Sequence, residues 1–434
     1  MDSTTQRLMM GSNDKQPFFG ILSTGFSVQY FTSAFKFDSN RNAYICGSVN
    51  DTNNSSLNRA VLVKLKCGFA GASVEWARSI STAGNESYYD VAISDDGASI
   101  YVVGPVSGYS GIVKYNSSGT IQWVRYLMTS GASFGVTVDS SGDVYITGYS
   151  RLPNRTTNVA IIAKYNSSGT IQWQKYEQYG DVTFDSYGTS IVSVPSSGGF
   201  VIAGGMQQSG LVPDILVTKF TTAGNVSWKK IISTTSGDDI GYDIGINSAG
   251  DVYVLGYTNG QGAGSNDIYL TKLNGTNGTT SWQRSLGTAS SEIGYDITVD
   301  SSTGDCYILG QASSTVAVVA KYNTSGTIQW QRSISISTDF NVNDISLGPD
   351  GMIYILFHPQ GQFSNSSYFI RIDPNGNGTG TFADITYSAI SYTDAARTLF
   401  NTSEVVLGGN TTFTEADASG LITEGSESVN FDGA

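Results

Sequence analysis

All six tryptophans of this 434-residue chain recur at a nearly constant interval, and this interval limits the folds that are available. Neighbouring tryptophans are separated by 47, 50, 55, 54 and 48 residues. They stand at Trp76, Trp123, Trp173, Trp228, Trp282 and Trp330. A repeat of about 40–55 residues that holds several short strands is typical of a blade, and blades stack because one alone cannot bury its faces. The spacing therefore predicts a β-propeller.

The repeat that ends at Trp330 illustrates the predicted unit. It contains four short apolar runs, at residues 295–300, 306–310, 317–323 and 327–332. β-Branched and aromatic residues fill these runs, whereas Gly, Ser, Asn and Asp fill the intervals between them. The pattern predicts a four-stranded antiparallel meander and no helix.

The number of repeats follows from two recurring positions. The residue that ends the second strand occurs eight times, at Gly47, Gly104, Gly148, Gly204, Gly256, Gly310, Phe357 and Gly408. The tryptophan position extends forward to Phe382 and backward to Tyr30, which also gives eight fourth strands. The first of these lies near the N-terminus, so we predict an eight-bladed propeller whose ring is closed by the N-terminal strand. Seven blades are the alternative, because the last copy is degenerate and residues 421–424 can supply its fourth strand.

These repeats assign residues 25–417 to a single propeller domain. Residues 1–24 are predicted to be an N-terminal extension that can dock on a neighbouring subunit. Residues 418–434 are predicted to be an acidic C-terminal tail.

The charge of the chain excludes one class of partner. Its net charge is −13, with only 23 Lys and Arg residues, and this negative charge opposes binding to nucleic acid.

The sequence has no long apolar run for membrane insertion and no signal-peptide pattern near Met1, so export by that route is not expected. The three cysteines are odd in number and are expected to be free thiols, two of them, Cys46 and Cys306, in second strands.

The run from Ala320 to Trp330 is nearly repeated at 163–173 and partly at 113–123. It resembles the repeats of bacterial and phage β-propeller proteins, above all virion structural proteins of tailed marine and cyanobacterial phages. Its Ala, Gly and Trp positions also resemble the tryptophan-docking motif of eight-bladed quinoprotein dehydrogenases. That second resemblance implies that the six tryptophans are structural and that each wedges between adjacent blades beside a turn glycine.

Catalytic and metal-binding patterns are sparse. His358 is the only histidine, so a Ser-His-Asp triad has one possible base and a site with several histidines is excluded. We expect it in a solvent-exposed loop. Residues 373–384 have the spacing of a calcium loop, but flanking helices are missing and the last residue is Asp384 rather than Glu. A lengthened turn is the preferred interpretation, and neither a metal nor a cofactor is predicted.

The two faces of the predicted propeller differ in their loops. One set of turns is short and repetitive, whereas the loops at 48–59, 149–158, 206–214, 257–267 and 358–367 vary in length and sequence. Variable loops on a rigid scaffold often carry recognition. Aromatic side chains there can stack on sugar rings or form a polar protein interface. The candidate ligand-binding residues on this face are Tyr149, Tyr257 and His358.

The resemblance to phage virion repeats implies a phage virion protein, assembled in the host cytoplasm and present in several copies on tail or capsid, and the sparse catalytic patterns lead us to expect that it is not an enzyme. Its expected partners are other virion proteins and a host-surface glycan or receptor. One alternative is a propeller enzyme that acts on carbohydrate or depends on a quinone, whose signature would be paired carboxylates around a central channel. A bacterial scaffold propeller is the other alternative.

Overall fold

The computed structural model consists of strands and the turns between them. It describes residues 18–24, 30–50, 57–68, 71–82, 84–151, 156–177, 184–195, 198–208, 213–233, 237–259, 264–360, 366–378, 380–382, 385–396, 400–402, 408–410, 415–417, 423–425 and 429–433. These residues contain no helix, which confirms the all-β prediction. It follows that none of them forms a helix of the length and apolar character that crossing a membrane requires.

Most strands belong to four-stranded antiparallel meanders, each of which we call a blade. Blade 1 contains β2 (Tyr30–Phe37), β3 (Asn42–Asn50), β4 (Asn58–Gly68) and β5 (Gly71–Ser81). Blade 2 contains β6 (Asp90–Ile93), β7 (Ser99–Val106), β8 (Tyr109–Asn116) and the first half of the 18-residue strand β9 (Ile121–Val138). Blade 3 contains the second half of β9, β10 (Val144–Arg151), β11 (Asn158–Tyr165) and β12 (Ile171–Glu177). Since β9 runs through both, blades 2 and 3 form one continuous sheet.

Three further blades repeat this arrangement. Blade 4 contains β13 (Phe184–Ser193), β14 (Phe200–Gln208), β15 (Asp214–Phe220) and β16 (Val226–Ser233). Blade 5 contains β17 (Asp239–Ile246), β18 (Val252–Asn259), β19 (Asn266–Leu273) and β20 (Thr280–Gly287). Blade 6 contains β21 (Ile293–Val299), β22 (Cys306–Ser313), β23 (Val316–Tyr322) and β24 (Ile328–Ile336).

Blade 7 draws its strands from both ends of the chain. It contains β25 (Phe340–Leu347), β26 (Ile353–Pro359), β27 (Ser366–Ile372) and, as its fourth strand, β1 (Phe18–Thr24). The prediction placed this N-terminal strand around Tyr30, but Tyr30 begins the first strand of blade 1. Residues 18–24 of the predicted docking extension therefore lie in a sheet, paired with β27 from Phe18 opposite Arg371 onward.

The C-terminal strands add a fifth strand to every blade, in the reverse of the blade order. They are β29 (Ile385–Ala389), β30 (Thr393–Ala396), β31 (Phe400–Thr402), β32 (Gly408–Asn410), β33 (Glu415–Asp417), β34 (Thr423–Gly425) and β35 (Val429–Gly433), on blades 6, 5, 4, 3, 2, 1 and 7. We call residues 385–433 the C-terminal strap. A short strand, β28 (Gly380–Phe382), pairs with β29.

Two positions on which the prediction of eight blades depends lie outside the four-stranded meanders. Gly408 begins a fifth strand beside β12, and Phe382 ends a short strand beside β29 rather than a fourth strand. Neither belongs to an eighth meander. The acidic tail predicted from residue 418 likewise contains two paired strands, β34 and β35.

The hydrophobic core is divided among the contacts between blades. Each pair of successive blades shares one cluster of buried apolar side chains. A further cluster joins blade 7 to blade 1, where Phe35 packs edge-on against Phe369 with 5.1 Å between ring centroids. A blade cannot bury both of its faces alone, so the core exists only because each blade covers the next.

A β-bulge recurs near the start of six of the seven first strands. The extra residue in each is Ser33, Phe134, Thr189, Tyr242, Tyr295 or Asn343. In blade 2, Tyr89 stands directly before β6 at the corresponding place. Bulges turn a side chain away from the regular alternation of a strand. The second-strand glycine makes room for this irregularity, since a Cβ at Gly256 would lie 1.8 Å from the carbonyl oxygen of Ile240.

Candidate functional site in the central cavity

A cavity of about 400 Å³ lies where the first strands of all seven blades meet. Every first strand contributes lining residues, from Ser33 and Lys36 of β2 to Asn343 and Asp344 of β25. We call it the central cavity. Its volume is within the range of about 300–1,000 Å³ that is usual for small-molecule sites.

Four aspartates occupy one equivalent position around this cavity, directly after the bulge residue. They are Asp90, Asp243, Asp296 and Asp344. Each accepts a hydrogen bond from the backbone N–H of the following blade, from Val136 at 2.9 Å, Ile297 at 3.0 Å, Ile345, and Phe35 at 2.9 Å respectively. In blade 4 the equivalent residue is Ser190, whose hydroxyl donates to Asp243 at 2.6 Å. These side chains therefore link neighbouring blades as well as line the cavity.

Lys36 is the cation among these carboxylates. Its Nζ lies 3.9 Å from Oδ2 of Asp344, and its side chain is 43% exposed. Burial lowers the pKa of Lys36, but the attraction of the four aspartates outweighs burial and raises the pKa overall. Lys36 is therefore expected to carry its positive charge at neutral pH.

The carboxyl groups themselves hold protons more readily than usual. Burial raises the pKa of Asp90 to about 6, against the opposing attraction of Lys36. Burial and then the neighbouring carboxylates of Asp344 and Asp243 raise the pKa of Asp296 well above its ordinary range. Burial also raises the pKa of Asp344, although Lys36 counteracts it. Like charges held close together in a buried site favour one shared proton.

Aromatic side chains form two pairs at the entrance of the cavity. Tyr89 and Phe134 of blades 2 and 3 lie 5.6 Å apart between ring centroids, and Tyr242 and Tyr295 of blades 5 and 6 lie 5.3 Å apart. We call these pairs the aromatic jaws. Thr189 of blade 4 separates them on one side, and the bulge residues of blades 7 and 1 separate them on the other. The jaws lie towards the variable-loop face, because first strands begin there and second strands end there.

Two of the three predicted ligand-binding residues lie behind these jaws. Tyr149 packs against Phe134 at 5.5 Å, and Tyr257 packs against Tyr242 at 6.1 Å. Tyr257 is only 8% exposed, and burial raises its pKa to about 12. Both tyrosines back the cavity rather than line it.

The third predicted residue, His358, occupies the corresponding place in blade 7. It is 5% exposed, and its Nδ1 lies 3.4 Å from Oγ of Ser367. The expectation of a solvent-exposed loop histidine is wrong, because β26 continues through Pro359 and keeps His358 inside the blade. The structure does not bring it together with the two tyrosines.

Each tryptophan contacts the turn between the third and fourth strands of the next blade, or its counterpart after β27. Their indole N–H groups donate to the carbonyl oxygens of Ser117, Ser167, Thr222, Gly275, Thr324 and Pro374, at 3.0–3.2 Å. A turn glycine with positive φ lies against each ring, as Gly326 does against Trp282. A basic residue two positions after the tryptophan often binds the same turn, as when Arg332 Nε donates to the carbonyl oxygen of Gly376 at 2.8 Å. None of the six tryptophans lines the cavity.

The segment with calcium-loop spacing, residues 373–384, begins in an ordinary turn. Asp373 caps its own turn by accepting from the N–H of Asn375 at 2.6 Å, and Asp384 lies outside the described residues. In the described part of the chain, no three His, Cys, Asp or Glu side chains are placed to hold a metal ion.

The cysteines Cys46, Cys67 and Cys306 are buried free thiols, as expected. The central residues of the five variable loops lie outside the described ranges.

Sequence reasoning missed the aspartates and the jaws. The signal that points to them is a tyrosine-aspartate pair, repeated at residues 89–90, 242–243 and 295–296. These pairs lie about 50 residues or more apart, and only the blade arrangement brings them to one cavity.

Comparisons with known proteins agree with this architecture. Residues 122–151, from the fourth strand of blade 2 into blade 3, match the family model described as Beta-propeller repeat. No curated protein matches the chain. The solved structure of U3-55K is 11% identical, with a TM-score of 0.52, 81% of this chain covered and 100% of that chain.

Two further solved structures have a similar fold. The polysaccharide lyase Uly1 is 12% identical, with a TM-score of 0.50, 79% of this chain covered and 89% of that chain. Raptor from Chaetomium thermophilum is 10% identical, with a TM-score of 0.50, 82% of this chain covered and 30% of that chain. At such identities the likeness extends to the fold alone. The blades, the repeat match and these structural likenesses together show that the chain has a β-propeller fold.

Proposed function

We propose that this chain is a non-enzymatic structural protein of a phage virion, a closed seven-bladed propeller mounted on tail or capsid in several copies. In this role it joins other virion proteins and presents its variable-loop face to a host-surface glycan or to an adjoining protein. The resemblance of residues 320–330 to phage virion repeats supports the location. The packing of Phe35 of blade 1 against Phe369 of blade 7 supports the closed ring.

One observation carries the non-enzymatic part of the proposal. All four cavity aspartates accept backbone hydrogen bonds from the next blade, including Asp344 from Phe35 and Asp243 from Ile297. A general acid or base must be free to exchange a proton with a bound substrate. Carboxylates that hold the blades together are better suited to a durable scaffold than to that exchange.

The location is tested by gold-antibody labelling of particles in a lysate of the source organism, viewed by electron microscopy. Label on particles is expected, with tail-tip label favouring host recognition and head label favouring decoration. Unlabelled particles with free antigen in the lysate would overturn the virion proposal.

Recognition by the variable-loop face is tested by a second experiment. The double variant Tyr149→Ala, Tyr257→Ala is expected to lose binding to particle or host, and unchanged binding would contradict a recognition role for this face.

A second candidate function is a carbohydrate-active enzyme, and the paired carboxylates favour it. Burial and the charges of Asp344 and Asp243 keep the pKa of Asp296 high, which is the environment of a proton donor. This candidate requires the purified protein to shorten a polysaccharide and Asp296→Asn to abolish the product. Intact chains after long incubation with a broad polysaccharide panel would leave the non-enzymatic proposal in place.

A further inference from the structure

We propose that the aromatic jaws and the central cavity bind one neutral or amine-bearing sugar ring at the end of a glycan chain. This inference deepens the recognition part of the proposed function and rests on it. It names the ligand class, a neutral or amine-bearing pyranose, and the place where it enters.

The jaws provide the apolar part of such a site. Tyr89 and Phe134 stand on blades 2 and 3, whereas Tyr242 and Tyr295 stand on blades 5 and 6, so one blade separates the pairs on one side and two blades separate them on the other. Tyr89 is 37% exposed, one of the few exposed large hydrophobic side chains among the described residues. Aromatic faces on two sides of an opening suit a flat ring that has apolar C–H faces and polar edges.

The polar edges of a sugar ring find matching groups between and below the jaws. Ser33 and Thr189 line the gaps between the pairs, and the aspartates follow one residue further along the strands. The Thr189 hydroxyl donates to the carbonyl oxygens of Ala203 and Gly241, so it can serve a sugar only as an acceptor. The residue Asp344 is 3% exposed, yet its Oδ1 receives no hydrogen bond in the described part of the chain. A buried acceptor without a donor is costly. A sugar hydroxyl that enters the cavity beside Asp344 would supply that donor.

The charge of the cavity selects among sugars. Even with one proton shared among them, the four aspartates carry more negative charge than the ammonium group of Lys36 offsets, and Asp344 already lies beside that group. An acidic sugar would bring a further negative charge towards this surplus, whereas neutral and amine-bearing sugars would not. The site is therefore expected to reject uronic and sialic acids.

The test uses the full chain and a defined panel of glucose, galactose, mannose, N-acetylglucosamine, glucosamine and their short oligomers, with glucuronic and sialic acids as acidic members. Saturation-transfer NMR detects binding, and calorimetry gives the Kd. At least one neutral or amine-bearing sugar is expected to bind. Tyr89→Ala and Tyr242→Ala are each expected to weaken it about tenfold or more, the loss of one stacking face.

Two further variants complete the experiment. Tyr109→Ala is the matched control, because Tyr109 begins β8 at the same face but stacks on Tyr126 at 5.2 Å, outside the cavity. It is expected to bind as the unmodified protein does. Ser33→Trp fills the entrance without removing a jaw residue and is expected to abolish binding.

Three results would overturn the inference. They are no binding by any neutral or amine-bearing member of the panel, stronger binding of the acidic sugars, or equal binding by the jaw variants and by Tyr109→Ala. If particles carry the protein but no sugar binds, the virion proposal stands and only the sugar site fails. Cleavage of a bound oligomer would instead favour the enzyme candidate.

Discussion

The carboxylate Oδ2 of Asp344 accepts a 2.9 Å hydrogen bond from the backbone N–H of Phe35, which lies 309 positions earlier in the chain. The same link, from an aspartate to the backbone N–H of the following blade, joins blades 2 and 3, 5 and 6, and 6 and 7. Here it joins the last blade to the first. Two segments that are remote in sequence are thus held together by the same kind of hydrogen bond that joins blades adjacent in the chain.

Replacing Asp344 tests this link. Asp344→Ala is expected to lower the free energy of unfolding by about 2–4 kcal/mol, because the N–H of Phe35 loses its acceptor and Lys36 loses its nearest carboxylate. Urea denaturation followed by tryptophan fluorescence measures the change. The control is Asp95→Ala in an exposed turn, which is expected to cost within about 0.5 kcal/mol. Equal stability of the two variants would contradict a linking role for Asp344.

The effect of the contact between Trp282 and Gly326 on stability can be measured separately from the effect of the positive φ of the turn. Gly326 and Gly351 both have φ near +75°, but a Cβ at Gly326 would lie 2.6 Å from the Trp282 ring, whereas a Cβ at Gly351 meets nothing within 4 Å. Gly351→Ala is therefore expected to cost only backbone strain, about 1–2 kcal/mol. Gly326→Ala should cost about 1–3 kcal/mol more, because the indole must move. Chemical denaturation of both variants gives the difference in the free energy of unfolding. Equal losses of stability would show that the indole moves aside without an energetic penalty.

The tryptophan period and the strand patterns of single repeats were sufficient to predict a β-propeller, because blades 1 to 6 are each built from four strands that follow one another in the chain. The blade count was not predictable in this way. Gly408 occupies the position of a second-strand glycine in the repeat, yet Gly408–Asn410 is a fifth strand on blade 3. Strands of three to five residues carry too little alternation to be recognised, so the strap left no pattern in the sequence.

The candidate site was only partly predictable for a related reason. Tyr149 and Tyr257 were selected as aromatic residues of the variable loops, but they lie in β10 and β18 and pack behind the jaws. The jaws and aspartates themselves come from first strands of different blades, and their convergence over such sequence distances is a property of the blade arrangement rather than of any local motif. Even the repeated tyrosine-aspartate pair shows which residues recur, not that they face one cavity.

The pKa of Asp90 predicts how stability changes with pH. Burial raises this pKa from its ordinary value of 3.8 to about 6, so between these values the folded chain binds a proton that the unfolded chain does not. Stability must then rise as pH falls from 7.5 to 5, by about 1 kcal/mol from Asp90. Asp214, whose pKa burial and Asp239 raise to about 6, adds in the same direction.

Thermal unfolding between pH 7.5 and 5 checks this expectation. The Tm is expected to increase across the range for the unmodified protein, and the increase should be smaller in Asp90→Asn, which has no proton to gain. A Tm that falls steadily as pH is lowered from 7.5 to 5 would contradict the raised pKa values. Any acid destabilisation is expected only at lower pH, where carboxylates with lowered pKa such as Asp300 are protonated.

Shortening the strap tests its effect on the outer edges of the blades. A chain that ends after Ala396 loses β31 to β35 and so uncovers the outer edges of five blades. Exposed strand edges present unpaired N–H and C=O groups that pair with other chains. The shortened protein is therefore expected to keep its β-sheet circular dichroism but to self-associate in sedimentation velocity. A chain that ends after Asp417 loses only β34 and β35 and is expected to associate less. If both shortened chains sediment as the full-length protein does, the strap does not protect the edges.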